Sequence, residues 1–360
     1  MRRRRRFQIL AAGVVLLTVF VLVFTPVRVH GPSMLPALEQ GDLLVTVPLW
    51  LREPVRYDLV VFQDPDRGGS AVKRVGGLPG ERIHLVEGDL VVDGALARRP
   101  LKDASDLVPL VDARGAHADR WFALSDNGLQ ADGDGWQLEG DTLAPLREPP
   151  RDGFLLHGVE QDGERPAVDL GVEVEYELLS PDAMLVLRIQ EEGGEYRLQL
   201  REMGRSAKLT RIGDGEAVEL GTVERAVEAA RGALFLAKVD QQLVVTLDGE
   251  PLIPPVPFEP FPARPMAGVP QGMRFEQVAV GGRGPLRFGR LRVGRDRFFA
   301  PGGTFAVAEA LQLAEDEYFL LGDNAASSLD SRSYGPISRS KISGVVLGRV
   351  WTPGPVRMGW

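Results

Sequence analysis

The sequence predicts a mainly β protein behind a single N-terminal apolar helix. Three observations lead there. A charge-free run from Phe7 to Val27 follows the basic tip Arg2–Arg6. Short β-type runs between Gly, Pro and Asp turns fill residues 43–92. Val172-Glu173-Val174-Glu175-Tyr176-Glu177-Leu178 alternates strictly, which predicts a strand with one apolar and one acidic face.

The basic tip and apolar run come first. As a helix the run would be roughly 31 Å long, a match to a bilayer core. The arginines would stay on the cytoplasmic side and place the rest of the chain outside. A cleaved signal peptide is the rival reading, but the run is longer than an h-region and Val27-Arg28-Val29-His30 offers no small-x-small cleavage site.

Strands are expected at Leu43–Val47, Tyr57–Phe62, Ala71–Val75, Arg82–Val86 and Asp89–Val92, with a tight turn at Leu78-Pro79-Gly80-Glu81. They read as a small antiparallel β domain. From about Leu107 to Phe298 further strands are expected at Ala183–Ile189, Tyr196–Leu200, Phe275–Val280 and Leu286–Val293. Ala233–Val239 and Leu243–Leu247 read as a hairpin about Asp240-Gln241-Gln242, and the whole as a β-sandwich. Pro254–Pro257 and Pro260-Phe261-Pro262 read as rigid loops, and Val223–Ala230 as a short helix. Tyr318–Leu321 and Ile342–Trp351 close the chain as strands that return to the first β domain, which makes the sandwich an insertion. The expected division is 1–28 tip and anchor, 29–104 first part of the core, 105–300 inserted sandwich and 301–360 second part of the core.

The 360 residues allow about two or three domains, and 44% hydrophobic with 26% charged residues is ordinary for globular protein. The absence of cysteine excludes thiol catalysis, disulfides and cysteine-ligated zinc. A net charge of −8 despite the arginine tip disfavours nucleic-acid binding. His30, His84, His117 and His157 lack metal-ligand spacing, and Asp132-Gly133-Asp134-Gly135 fails the EF-hand pattern at Trp136, so no metal or cofactor is expected.

Three segments carry chemistry. Ser33 lies between Pro32 and Pro36, just beyond the apolar run; its hydroxyl needs a base to become a nucleophile. Lys73 shares a strand face with Ala71 and Val75; if that face points inward, burial disfavours the ammonium and lets the amine act as a base. Gly322-Asp323-Asn324 leads through Ser328, Asp330, Ser331 and Arg332, hydroxyls and an acid–base pair able to order an amine. Alone, each has a plain structural reading: a turn serine, a snorkelling surface lysine and a solvated Asx-rich loop. His30 near Ser33 allows a Ser/His reading, which leaves Lys73 without a role.

Together the segments resemble the bacterial signal peptidase I (leader peptidase) family. Ser33-Met34-Leu35-Pro36 with Gly41-Asp42 resembles its nucleophile motif. Lys73-Arg74-Val75-Gly76-Gly77-Leu78-Pro79-Gly80-Glu81 resembles its base motif, and Gly322-Asp323-Asn324 with Ser328, Asp330, Ser331 and Arg332 its closing motif. The resemblance covers about residues 1–104 and 316–360.

It implies a serine endopeptidase with a Ser33/Lys73 dyad, working through an acyl-enzyme without cofactor or metal. The Ser33 N–H would help form the oxyanion hole. Gly31 stands where many relatives carry a second hydroxyl donor. Ser328 resembles the residue that hydrogen-bonds the lysine amine, with Asp323, Asn324 and the Asp330–Arg332 pair in support. Met34, Val72 and Ala71 match substrate-pocket positions. The implied substrates are exported preproteins with Ala-x-Ala-type sites, at the outer face of the bacterial cytoplasmic membrane. The inserted segment, with Trp121 and Trp136 before its strands, resembles a laminin-G or concanavalin-like jelly roll, which brings a glycan or protein ligand into view. The competing reading is a membrane-tethered, non-enzymatic binding protein acting through that sandwich.

Overall fold

The computed structural model describes residues 23–66, 68–86, 88–99, 101–102, 104–157, 159–161, 163, 165–225, 229–258, 276–297, 299, 302–324 and 327–352. The chain is mainly β and divides into two compact units, Met1–Ala97 with Phe298–Trp360, and Arg98–Arg297.

The first unit holds a seven-stranded antiparallel sheet. Its strands are β1 (Thr25–Arg28), β2 (Leu43–Val47), β3 (Leu59–Gln63), β4 (Ser70–Gly77), β5 (Glu317–Leu321), β6 (Ile337–Ser338) and β7 (Ile342–Trp351). They lie in the order β1-β2-β7-β3-β4-β5-β6, so the last segment of the chain supplies strands both inside and at the edge of a sheet begun by the first. β3 reads Leu-Val-Val-Phe-Gln because both of its faces are covered. Val60 and Phe62 pack with Val75 and Leu320, while Val61 packs on the other side with Met34, Leu44 and Val72. Full burial of side chains of this size contributes about 1.5–3 kcal/mol each. A four-stranded sheet, Leu311–Gln312, Arg82–Val86, Asp89–Val92 and Ala95–Leu96, completes the unit. Gly80 takes φ +77 in the turn between β4 and Arg82–Val86, a conformation that favours glycine.

The apolar run Phe7–Val27 falls largely outside the described residues. Among the described residues no helix is long and apolar enough to cross a membrane. At its end the structure corrects the expected helix: Thr25–Arg28 is strand β1, with Thr25 opposite Thr46 and Arg28 opposite Leu43. Pro26 lacks the N–H that a helix interior needs and sits at the sheet edge, where none is required.

The second unit packs an eight-stranded sheet and a six-stranded sheet around one apolar core. Leu170–Leu178 lies central in the larger sheet between Arg231–Val239 and Leu286–Arg295. Its acidic face is matched by basic side chains: Glu173 is buried against Arg292, and Glu175 and Glu177 pair with Arg114 and Arg287. The hairpin about Asp240–Gln241 forms, with both residues at positive φ.

Two expectations fail here. Pro254–Pro257 is not a loop but part of strand Glu250–Pro257, tolerated because that strand is the edge of its sheet. The segment from Val223 does not start a helix; Val223 and Glu224 pair with Ala207 and Ser206 at the end of strand Glu216–Glu224, while 226–228 lie outside the described residues. Pro260-Phe261-Pro262 also lies outside them. Strands Ser206–Gly213 and Glu216–Glu224 went unread, although Asp214-Gly215 is an ordinary hairpin turn signal.

Candidate functional site

Ser33 sits in a non-strand segment that leaves β1 and returns to β2. The segment is pinned at its base by Val29 N–H to Asp42 O and Gly41 N–H to Val29 O, both 2.9 Å. Asp42 is fully buried; it accepts from the Glu39 N–H at 2.9 Å and from Arg349 at 3.0 Å. Within the loop, Leu35 N–H donates to Pro32 O at 3.0 Å and Leu38 N–H to Met34 O at 2.8 Å. Met34, 2% exposed, anchors the loop in the core and leaves Ser33 half-buried beside it.

Lys73 lies opposite Val60 in β4, on the face it shares with Ala71 and Val75. That face is turned inward, and Lys73 is only 3% exposed. Its Nζ lies 2.5 Å from Ser33 Oγ. A hydroxyl and an amine at that distance, shielded from water, can exchange a proton.

The loop after β5 closes over this pair. Asp323 holds Arg74 in a two-pronged contact, Nε to Oδ1 at 2.7 Å and Nη2 to Oδ2 at 2.5 Å. Burial pulls the Arg74 guanidinium down, but the Asp323 carboxylate more than offsets it and holds the group above its ordinary value. Asn324 N–H donates to Ser33 O at 3.1 Å, and Asn324 Nδ2 donates to Pro32 O at 3.2 Å.

Asp330 and Arg332 form a second buried fork, with both contacts at 2.8 Å. Asp330 also caps the short helix α1 (Ser331–Tyr334) and accepts the Gly322 N–H at 2.9 Å, while Ser331 Oγ accepts the Leu320 N–H at 2.9 Å. The polar residues of the segment are thus spent mainly on shaping the loop.

One contact differs from expectation. Ser328 Oγ is buried and makes no hydrogen bond among the described residues, the Lys73 amine included. It packs instead against Gly322: a Cβ at that position would stand 2.0 Å from Ser328 Oγ and 2.8 Å from Ser33 O. The close approach explains the glycine, a requirement sequence reasoning left unread. The Arg74–Asp323 fork was also missed; its one signal is that strand neighbours of a buried lysine face the other way and need their own partner. Of the expected pocket residues, Met34 and Val72 meet in one apolar cluster, whereas Ala71 packs on the opposite face with Val75. His30 is exposed.

The sequence that builds this site matches a known class of hydrolases. The signal peptidase family, peptidase S26, matches residues 2–130 and 295–351, more than half of the chain. Signal peptidase I of Bacillus caldolyticus is 38% identical over 101 residues, which cover 28% of this chain and 55% of that protein. Signal peptidase I V of Bacillus subtilis is 34% identical over 129 residues, 34% of this chain and 73% of that protein. Among solved structures, the carbohydrate-binding module CBM66 from Bacillus subtilis aligns with 47% of this chain and 91% of its own at a TM-score of 0.33 and 9% identity, too slight a likeness to bear on function. The chain belongs to the signal peptidase family, peptidase S26.

Proposed function

We propose that this protein is a membrane-bound serine endopeptidase that removes signal peptides from exported preproteins. The observation that carries the reading is the 2.5 Å contact between a half-buried serine hydroxyl and a buried lysine amine. Neutral Lys73 takes the Ser33 proton as Oγ attacks the scissile carbonyl, and the acyl-enzyme forms as the amine leaving group departs with a proton. Lys73 then activates the water that releases the acyl group. The Ser33 N–H has no hydrogen-bond partner among the described residues and is available to the oxyanion.

The substrate backbone has a seat. Among the described residues the ladder between β4 and β5 ends where Leu321 lies opposite Arg74, whereas β3 pairs with β4 as far as Ser70, so β4 offers an edge beyond Arg74. An extended peptide adding to that open edge passes the dyad in the manner of strand addition. Met34 and Val72 favour small side chains before the cut, as in Ala-x-Ala sites, and Asp323, Asn324, Ser328, Asp330 and Arg332 hold the surroundings. The apolar run that precedes β1 anchors the enzyme in the cytoplasmic membrane with its body outside, so that enzyme and signal peptide share one bilayer surface.

The inserted unit supports a second, additional reading. It carries a cleft of about 430 Å³ lined by Arg120, Trp121, Arg151, Phe154 and Glu160 among others, which favours a glycan or protein ligand held by a jelly-roll sandwich.

The test is cleavage of a model preprotein with an Ala-x-Ala site in detergent. Wild type should cut it, and Ser33→Ala and Lys73→Ala should not. Folded wild type that cuts none of several preproteins would sink the peptidase reading and leave the binding role of the insertion.

A further inference from the structure

We propose that Asn324 is the positioning residue of the oxyanion hole: by holding the Pro32 carbonyl it aims the Ser33 N–H at the substrate oxygen. The inference rests on the peptidase reading above and adds a residue to it.

The Pro32–Ser33 peptide bond is trans, as the only cis bond among the described residues is Leu35–Pro36. In a planar trans peptide the C=O and N–H point in opposite directions. Whatever fixes the Pro32 oxygen therefore fixes the direction of the Ser33 hydrogen. Two donors hold that oxygen: the Leu35 N–H from within the loop at 3.0 Å and Asn324 Nδ2 from the segment after β5 at 3.2 Å, and the Asn324 N–H takes the next carbonyl, Ser33 O, at 3.1 Å. The Leu35 bond closes the turn, and Asn324, which holds two consecutive carbonyls, sets how the turn as a whole is aimed and so where the Ser33 N–H points.

The clamp is itself anchored to the base. Asp323 grips Arg74, and Arg74 follows Lys73 in β4. The strand that carries the amine thus also carries the loop that orients the nucleophile.

Gly31 makes this alignment matter. A side-chain donor two residues before Ser33 would need a non-glycine residue at φ +83, a conformation that L side chains rarely adopt. With no hydroxyl there, stabilisation of the oxyanion depends on a backbone N–H, and a misdirected N–H is a lost donor.

The experiment uses the full-length protein in detergent and compares wild type with Asn324→Ala and Asn324→Leu; the second keeps most of the volume and removes the donor. For each, kcat, KM and the pH–rate profile are measured on an Ala-x-Ala preprotein, with Tm as the check on folding. A peptide aldehyde that Ser33 converts to a tetrahedral adduct is titrated against the amide of the same sequence. The expected result is kcat down by about 10²-fold with KM changed less than about twofold. Aldehyde affinity should fall by a similar factor, with amide affinity and the pH profile unmoved. Aldehyde and amide weakened alike, a shifted pH profile, or unchanged kcat in both variants overturns the inference while wild-type cleavage keeps the peptidase reading intact. Loss of Tm in both variants also overturns it, since the role is then structural. Inactive wild type overturns the two together.

Discussion

Two lysines in this chain are equally buried, each 3% exposed, and they keep different company. Lys73 lies against a neutral hydroxyl. Lys238, in strand Arg231–Val239 of the inserted unit, meets three carboxylates: it touches Glu276, lies 2.8 Å from Glu191 and 3.4 Å from Asp169, and stands over the Phe258 ring. Glu191 and Glu276 are directly opposite each other in neighbouring strands, a like-charge pair that would destabilise the sheet. Lys238 reaches them from the facing sheet and offsets that repulsion. Burial pulls the Lys238 amine down, but Glu276, Asp169 and Glu191 together more than offset it and keep the amine above its ordinary value. One arrangement locks a proton in place; the other sets an amine beside a hydroxyl, the contact on which the proposed proton transfer rests. Equal burial thus leaves two lysines in different chemical settings.

Substitution at the two positions should separate the roles. Lys73→Met should lose preprotein cleavage by about 10⁴-fold or more, as removal of a dyad member does, while the Tm holds or rises because a buried amine has been replaced by a thioether of similar length. Lys238→Met should do the opposite: cleavage per folded molecule persists, but unfolding in denaturant should show a loss of about 3–5 kcal/mol, the consequence of leaving carboxylates buried without their cation. A Lys73→Met protein as destabilised as Lys238→Met would erase the contrast.

Gly322→Ala sharpens it on the side of the dyad. The new Cβ collides with Ser328 Oγ and the Ser33 carbonyl, so we expect about 1–3 kcal/mol of destabilisation together with reduced cleavage; an unaffected enzyme would mean that the loop yields freely.

A further difference between the two regions is a pH dependence seated in the inserted unit. Burial pushes the Glu276 carboxyl up, Lys238 draws it down only in part, Asp169 adds to the rise, and it reaches about 7 from an ordinary 4.5. Between those values the folded state holds a proton that the unfolded state has lost, so this contribution is complete below about 4.5 and disappears as the pH rises through 7. Tm measured across that window should fall with rising pH, and Glu276→Gln should flatten the slope. A slope unchanged by the substitution would assign the pH dependence to other groups.

The first unit was readable because its chemistry is written in short contiguous segments. Lys73 on the face of Ala71 and Val75, Ser33 between prolines, and strands bounded by Gly and Pro turns are local signals. The misreadings share one cause, tertiary context. Prolines at 254, 255 and 257 sit in a strand because that strand is the edge of its sheet among the described residues, which no local rule discloses. Val223 lies in a strand because it finds Ala207 across the ladder. The motif places Ser328 beside the lysine amine, but in the fold its hydroxyl lies against Gly322. The Lys238 cluster unites residues from 169 to 276, and sequence separation of that order leaves no periodic mark.

The discontinuity of the first unit has a consequence for timing. Ser33 and Lys73 emerge early in synthesis, yet strands β5 and β7, the Arg74 clamp and the Pro32 clamp all lie beyond Arg297. At typical elongation rates the intervening 200 residues take roughly 10–40 s to appear. Throughout that interval Ser33 and Lys73 lack the loop whose Asp323 holds Arg74 and whose Asn324 holds Pro32. The contacts that hold the Ser33 loop and Arg74 can therefore form only once the second part of the first unit has been made.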